Sequence, residues 1–130
     1  MRWLTLMLLA ACGSGSAERV PPKAPNTELI VGKFERRPPD GTTIARFQGD
    51  GTITLAHDEA SLDRKNLAAG SFHLEGDQLT LTYSSGEMCK PNETGTYKVV
   101  ISKIGIRFTK VNDPCADRSK IDGQTWYRAK

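Results

Sequence analysis

The sequence predicts an all-β protein, a small closed antiparallel β-barrel of about eight strands with one short helix before the last strand. Three observations carry this. Apolar and polar residues alternate with period two along much of the chain. The alternating runs are separated by Asp-Gly and Gly-Asp pairs, which tolerate the positive φ of tight hairpins. No stretch carries a sustained helical stripe. Strands that are oily on one face must hide that face without leaving long edges exposed, and a closed barrel does both. A two-sheet β-sandwich is the alternative.

The elements follow in order from Thr27. Val31 to Phe34 forms the first strand, and Asp40-Gly41 and Asp50-Gly51 supply hairpin turns on either side of the next stretch. Ile53 and Leu55 share a strand face. His57 to Asn66 interrupts the meander, either as a loop or as one or two helical turns capped by Asp58. Phe72 and Leu74 lead through Gly76-Asp77 into the clearest strand, where Leu79, Leu81 and Tyr83 oppose Gln78, Thr80 and Thr82. Tyr97, Val99 and Ile101 then alternate with Thr96 and Lys98. After a Ser102-Lys103 link, Ile104, Ile106 and Phe108 alternate with Arg107 and Thr109. Asp113 is an N-cap candidate with Pro114 at the first helical position, so a short helix is expected there, and Thr125 to Arg128 is the final strand.

At 130 residues the chain supports one domain with a modest core. Its 18 basic and 15 acidic residues are too balanced for nucleic acid, which needs a clustered basic footprint. The doublets Arg36-Arg37 and Arg64-Lys65 read as solvated surface.

The first eleven residues do not belong to the fold. Arg2 precedes Trp3 to Leu9, an apolar stretch too short to span a bilayer but suited to a signal peptide. Leu9-Ala10-Ala11-Cys12 closes it and resembles the signature of bacterial lipoproteins. That resemblance implies cleavage before Cys12 and acylation of the cysteine with diacylglycerol and a palmitate-type N-acyl chain. Two or three acyl chains anchor firmly where one binds marginally. By resemblance to the sorting rule of enteric bacterial lipoproteins, Gly13 rather than Asp after the cysteine implies the outer membrane, with the domain facing the periplasm or the cell surface. An ordinary secreted signal or a cytosolic start are the alternatives. Residues 12–26, with Gly13-Ser14-Gly15-Ser16 and then Pro21, Pro22 and Pro25, read as a tether reaching up to about 40 Å, which leaves residues 27–130 as the folded domain.

With Cys12 assigned to lipid, Cys89 and Cys115 remain as a pair, and an oxidising compartment makes a disulfide the expectation. Closing that loop is worth about 3.5 kcal/mol in the chain-entropy model. A free nucleophilic cysteine, the alternative, needs a retained thiolate and a nearby base. The bridge is expected to close one end of the structure.

Val31-Gly32-Lys33-Phe34 is similar to the Gly-x-Trp opening of lipocalins, with Phe in place of Trp. Arg128 on the last strand stands where that family lays a basic side chain over the aromatic ring. Gly95-Thr96-Tyr97, the run from Asp113 to Arg118, and Trp126 also resemble small bacterial lipocalin-like lipoproteins. The resemblance implies a calycin-type barrel, although the chain is short for a lipocalin and has no long helix after the last strand. A barrel of this size is filled by side chains or holds one small apolar ligand. Phe34, Phe72, Tyr83, Tyr97, Phe108 and Trp126 are the inward candidates, as core or as the lining of a ligand cavity.

Catalytic signatures are missing. His57 and His73 are the only imidazoles and do not form a zinc set. Ser84 or Ser85 with His73 lacks a nucleophile elbow, and Asp58, Glu59 and Asp63 lack the spacing of an EF-hand loop. No cofactor or metal is expected. The sequence therefore points to a non-enzymatic, lipid-anchored envelope protein that binds a small apolar ligand. The alternative is a protein-interaction module, such as a protease or lysozyme inhibitor, contacting its partner through residues 57–67 and 84–95.

Overall fold

The structure, a computed structural model, describes residues 24–38 and 41–129, so the expected leader, Cys12 and most of the expected tether lie outside the described residues. Eight strands form one closed antiparallel barrel in simple sequence order: β1 Gly32–Arg36, β2 Thr43–Phe47, β3 Thr52–Ala56, β4 Ala68–Glu75, β5 Gln78–Gly86, β6 Thr94–Ile101, β7 Gly105–Asn112 and β8 Thr125–Arg128. Closure comes from β1 against β8, with Phe34 opposite Arg128 and Glu35 opposite Tyr127.

The barrel has two unlike ends. The turns β2–β3, β4–β5 and β6–β7 gather at one end, the base, which is also where β1 starts and β8 finishes. Gly51 and Gly76 take the positive φ that their turns require, at +90° and +60°. A single helical turn not anticipated from the sequence, α1 Asn26–Leu29, covers the base. Asn26 donates to the Gly76 carbonyl at 2.8 Å, and Ile30 just after the turn is fully buried. Arg128 completes the closure. Its guanidinium lies 4.7 Å over the Phe34 ring and donates to the carbonyls of Leu29 and Ser102. The expected stacking of Arg128 on Phe34 is present.

The β2 stretch carries no clean alternation because both of its faces are covered. Ala45 and Phe47 point into the barrel, while Ile44 on the outside packs with Ala56 and Leu62 in a small second core. Leu62 comes from a 3₁₀ turn, Ala60–Asp63, inside the segment expected to be loop or helical turn. Asp58 accepts the Ser61 N–H at 2.8 Å, as a capping residue should.

Two expectations are corrected. Ile104 does not continue the inward face of Ile106 and Phe108. It sits in the β6–β7 turn, where the Ser102 N–H donates to the Gly105 carbonyl, and is 70% exposed. Pro114 does not open a helix. The short helix expected before β8 is present as a 3₁₀ turn, Arg118–Ile121, four residues beyond Pro114, although Asp113 does accept the Cys115 N–H at 2.9 Å.

Candidate functional site

The other end of the barrel carries the longer connections, residues 57–67, 87–93 and 113–124, around its mouth, together with the end of β1 and the start of β2. Cys89 in the second of these connections is bonded to Cys115 in the third, so the expected disulfide joins two loops at this end. Beneath it lies a polar cluster. Arg118 donates from Nε to Asp113 Oδ2 at 2.7 Å, and from Nη2 to Asp113 Oδ1 and the Glu93 carbonyl, both at 2.9 Å. Both side chains are withdrawn from solvent, and the Arg118 guanidinium lies 4.9 Å over the Tyr83 ring. The Tyr97 hydroxyl donates to the same Asp113 carboxylate, which also accepts the Cys115 N–H at 2.9 Å.

The protonation states follow from these contacts. Burial acts to raise the Asp113 carboxyl, but hydrogen bonds from Arg118 and Tyr97 outweigh it and hold it below the usual carboxylate range. Burial lowers Arg118, and the hydrogen bond and charge of Asp113 reverse that, so the guanidinium stays charged. Tyr83 and Tyr97 are both pushed well above the ordinary phenol value, chiefly by burial. The cluster is therefore a fixed ion pair braced by neutral phenols, without a group poised to exchange protons near neutral pH.

Gly95 makes this arrangement possible. A Cβ there would lie 2.9 Å from Arg118 Nε and closer still to the Asp113 carboxylate. The sequence reading placed Gly95, Tyr97, Asp113 and Arg118 in one resemblance but gave Asp113 a capping role and Arg118 none.

Below the mouth the interior is filled. Its remaining apolar space is about 20 Å³, lined by Phe34, Ala45, Phe47, Ile53, Leu55, Leu81, Tyr83, Phe108, Ile121 and Trp126. That is about one water's worth, and an apolar void of this kind stays dry. Four of the six inward aromatic candidates, Phe34, Tyr83, Phe108 and Trp126, border it. Phe72 instead packs edge-on against Phe47 at 5.1 Å, and Tyr97 belongs to the polar cluster while touching Phe108 edge-on. Phe47, which also meets Phe34 edge-on, was not among the candidates. Above the interior, the mouth holds an open cleft of about 180 Å³ lined by Arg36, Thr43, Leu55, Tyr83, Met88, Asp117, Arg118, Lys120, Ile121, Gln124 and Trp126.

The remaining chemistry-bearing groups do not assemble. His57 and His73 are exposed. His73 pairs with Thr80, four residues along β4 from the Ala69 that pairs with Ser85, a separation of about 13 Å along the strand. Among the described residues, Cys89, Glu93 and Cys115 are close enough together to resemble a metal set, but the two sulfurs are bonded to each other and have no thiolate to offer. Comparison with protein-family models, curated proteins and solved structures finds no match for the chain.

Proposed function

We propose that this protein is a non-enzymatic, lipid-anchored module of the bacterial cell envelope whose binding surface is the loop end of the barrel rather than its interior. The observation that carries the reading is the contrast in free volume, about 20 Å³ inside the barrel against about 180 Å³ at the mouth. Pockets for drug-sized ligands begin at about 300 Å³, more than tenfold above the interior space but within twofold of the mouth cleft. An internal carrier of long apolar molecules is therefore poorly supported, and a shallow cup among pinned loops is better supported.

The leader and the fold agree with this reading. Leu9 to Cys12 resembles a lipoprotein processing site, and the tether that follows leads to α1 at the base. An anchor on Cys12 then enters the domain at its base, the end opposite the loops, and leaves the loop end unobstructed. The second reading, a protein-interaction or inhibitor module, uses the same loop end. It is favoured by the anchoring of residues 57–67, where Arg46 holds Asp63 at 2.8 Å and Lys33 pairs with Glu59.

Expression of the full chain in a bacterium, followed by fractionation and mass spectrometry of the mature N-terminus, tests the anchor. A diacylglyceryl and acyl mass on Cys12, membrane association, and release of Cys12→Ser into the soluble fraction are expected. An unmodified Cys12 in a soluble product would overturn the reading.

A further inference from the structure

We propose that the cleft at the barrel mouth binds a small organic acid, a carboxylate on a compact apolar body about the size of a benzene ring. The inference rests on reading the loop end as the binding surface and specifies what it recognises.

Alternation along β1 supplies the first step. Phe34 points into the barrel and Glu35 points out, so Arg36 turns back inward at the rim. Outside, Arg37 is engaged by Glu35. The Arg36 side chain makes no hydrogen bond or ion pair with any described residue, and it is half-buried in the wall of the cleft. Guanidinium is shaped to take a carboxylate through two parallel hydrogen bonds.

The other charges at the cleft leave an excess of one cation. Lys120, also in the wall of the cleft, pairs with Asp117 at 3.4 Å. Arg118 is matched by Asp113 behind it, although its Nη1 is buried without a hydrogen-bond partner. Among the described residues Arg36 is the unmatched charge, so an anion entering the cleft completes the balance.

The apolar lining sets the body of the ligand. Trp126, Ile121, Met88 and Leu55 face the same space as Arg36. Its 180 Å³ is slightly more than the roughly 150 Å³ in which an apolar protein cavity accommodates benzene. Only about 20 Å³ lies beneath, so a long acyl chain has nowhere to follow its headgroup. Compact acids are selected over extended ones.

Trp126 provides the readout. The sequence contains two tryptophans, Trp3 in the leader and Trp126 in the cleft, so the full chain carrying Trp3→Phe emits from the site alone. Titration with sodium benzoate is expected to change the emission saturably, and neutral benzyl alcohol is expected to bind about tenfold more weakly, the worth of a charged hydrogen bond. Arg36→Gln should remove that difference without altering the circular dichroism spectrum, and Asp117→Asn should tighten benzoate binding. Equal affinity for benzoate and benzyl alcohol, unmoved by Arg36→Gln, would overturn the acid specificity while leaving the loop end as a binding surface. No saturable response to either compound would overturn the site altogether.

Discussion

Arg118 and Asp113 meet in a two-point ion pair, Nε to Oδ2 at 2.7 Å and Nη2 to Oδ1 at 2.9 Å, with neither side chain exposed to solvent. The pair binds the β7–β8 connection to itself, and the third Arg118 hydrogen bond reaches the Glu93 carbonyl just before β6. Together with the disulfide, it gives the loop end its shape.

Removing one partner is far more damaging than removing both. Arg118→Met leaves a buried carboxylate without its counter-charge and is expected to cost about 3–5 kcal/mol, whereas Arg118→Met with Asp113→Leu should recover most of that loss. Urea unfolding of the two single variants and the double variant, treated as a cycle, measures the coupling. Additive losses would show that the pair does not act as a unit.

Gly95→Ala is expected to destabilise by about 1–3 kcal/mol, because the added methyl must displace the Arg118–Asp113 contact inside a packed site. The same substitution at Gly49, where an added Cβ meets nothing within 4 Å, serves as the control in thermal melts. Equal effects at both positions would contradict the account.

Much of this fold was legible in the sequence because burial on one face writes itself as alternation. Leu79, Leu81 and Tyr83 on β5, and Tyr97, Val99 and Ile101 on β6, are inward and buried as their pattern indicates. The signal failed at β2, where Ile44 is covered from outside by Leu62 and the polar face disappears. It also failed at Ile104, where turn geometry overrides the pattern. The candidate site was less legible. Asp113 followed by Pro114 is as good a helix start as sequence offers, and its carboxylate does accept the Cys115 N–H, but the additional approach of Tyr97 and Arg118 is tertiary and leaves no local pattern. Arg36 read as half of a solvated doublet, because its inward aim follows from strand register rather than from residue type.

The Cys89–Cys115 bridge closes a loop across 26 residues. Replacing both cysteines by Ala is expected to cost about 3.5 kcal/mol, acting mainly through the unfolded chain. The midpoint of urea unfolding should fall accordingly while the far-ultraviolet spectrum of the native state is kept. An unchanged midpoint would contradict this.

Acid should weaken the domain through Asp113. Its folded pKa is depressed, so the stability it contributes is present above the unfolded value of about 3.9 and is lost as pH falls through the lower folded value. Asp50, Asp58 and Asp63 are lowered as well, through hydrogen bonds with Thr52, Ser61 and Arg46, and act with the same sign. Asp113→Asn is therefore expected to be less stable than the parent at neutral pH, with a gap that narrows below about pH 4. Melting temperatures of both proteins from pH 2 to pH 7 check this, and a gap independent of pH would contradict it.

The account turns on the barrel being a core with a cup at one end rather than a container. Methyl NMR of the full chain during titration with octanoate tests this most directly. Ile53 and Leu81 are expected to stay unmoved, with any response confined to Met88 at the mouth. Saturable shifts of Ile53 and Leu81 would show a ligand inside the barrel and contradict it.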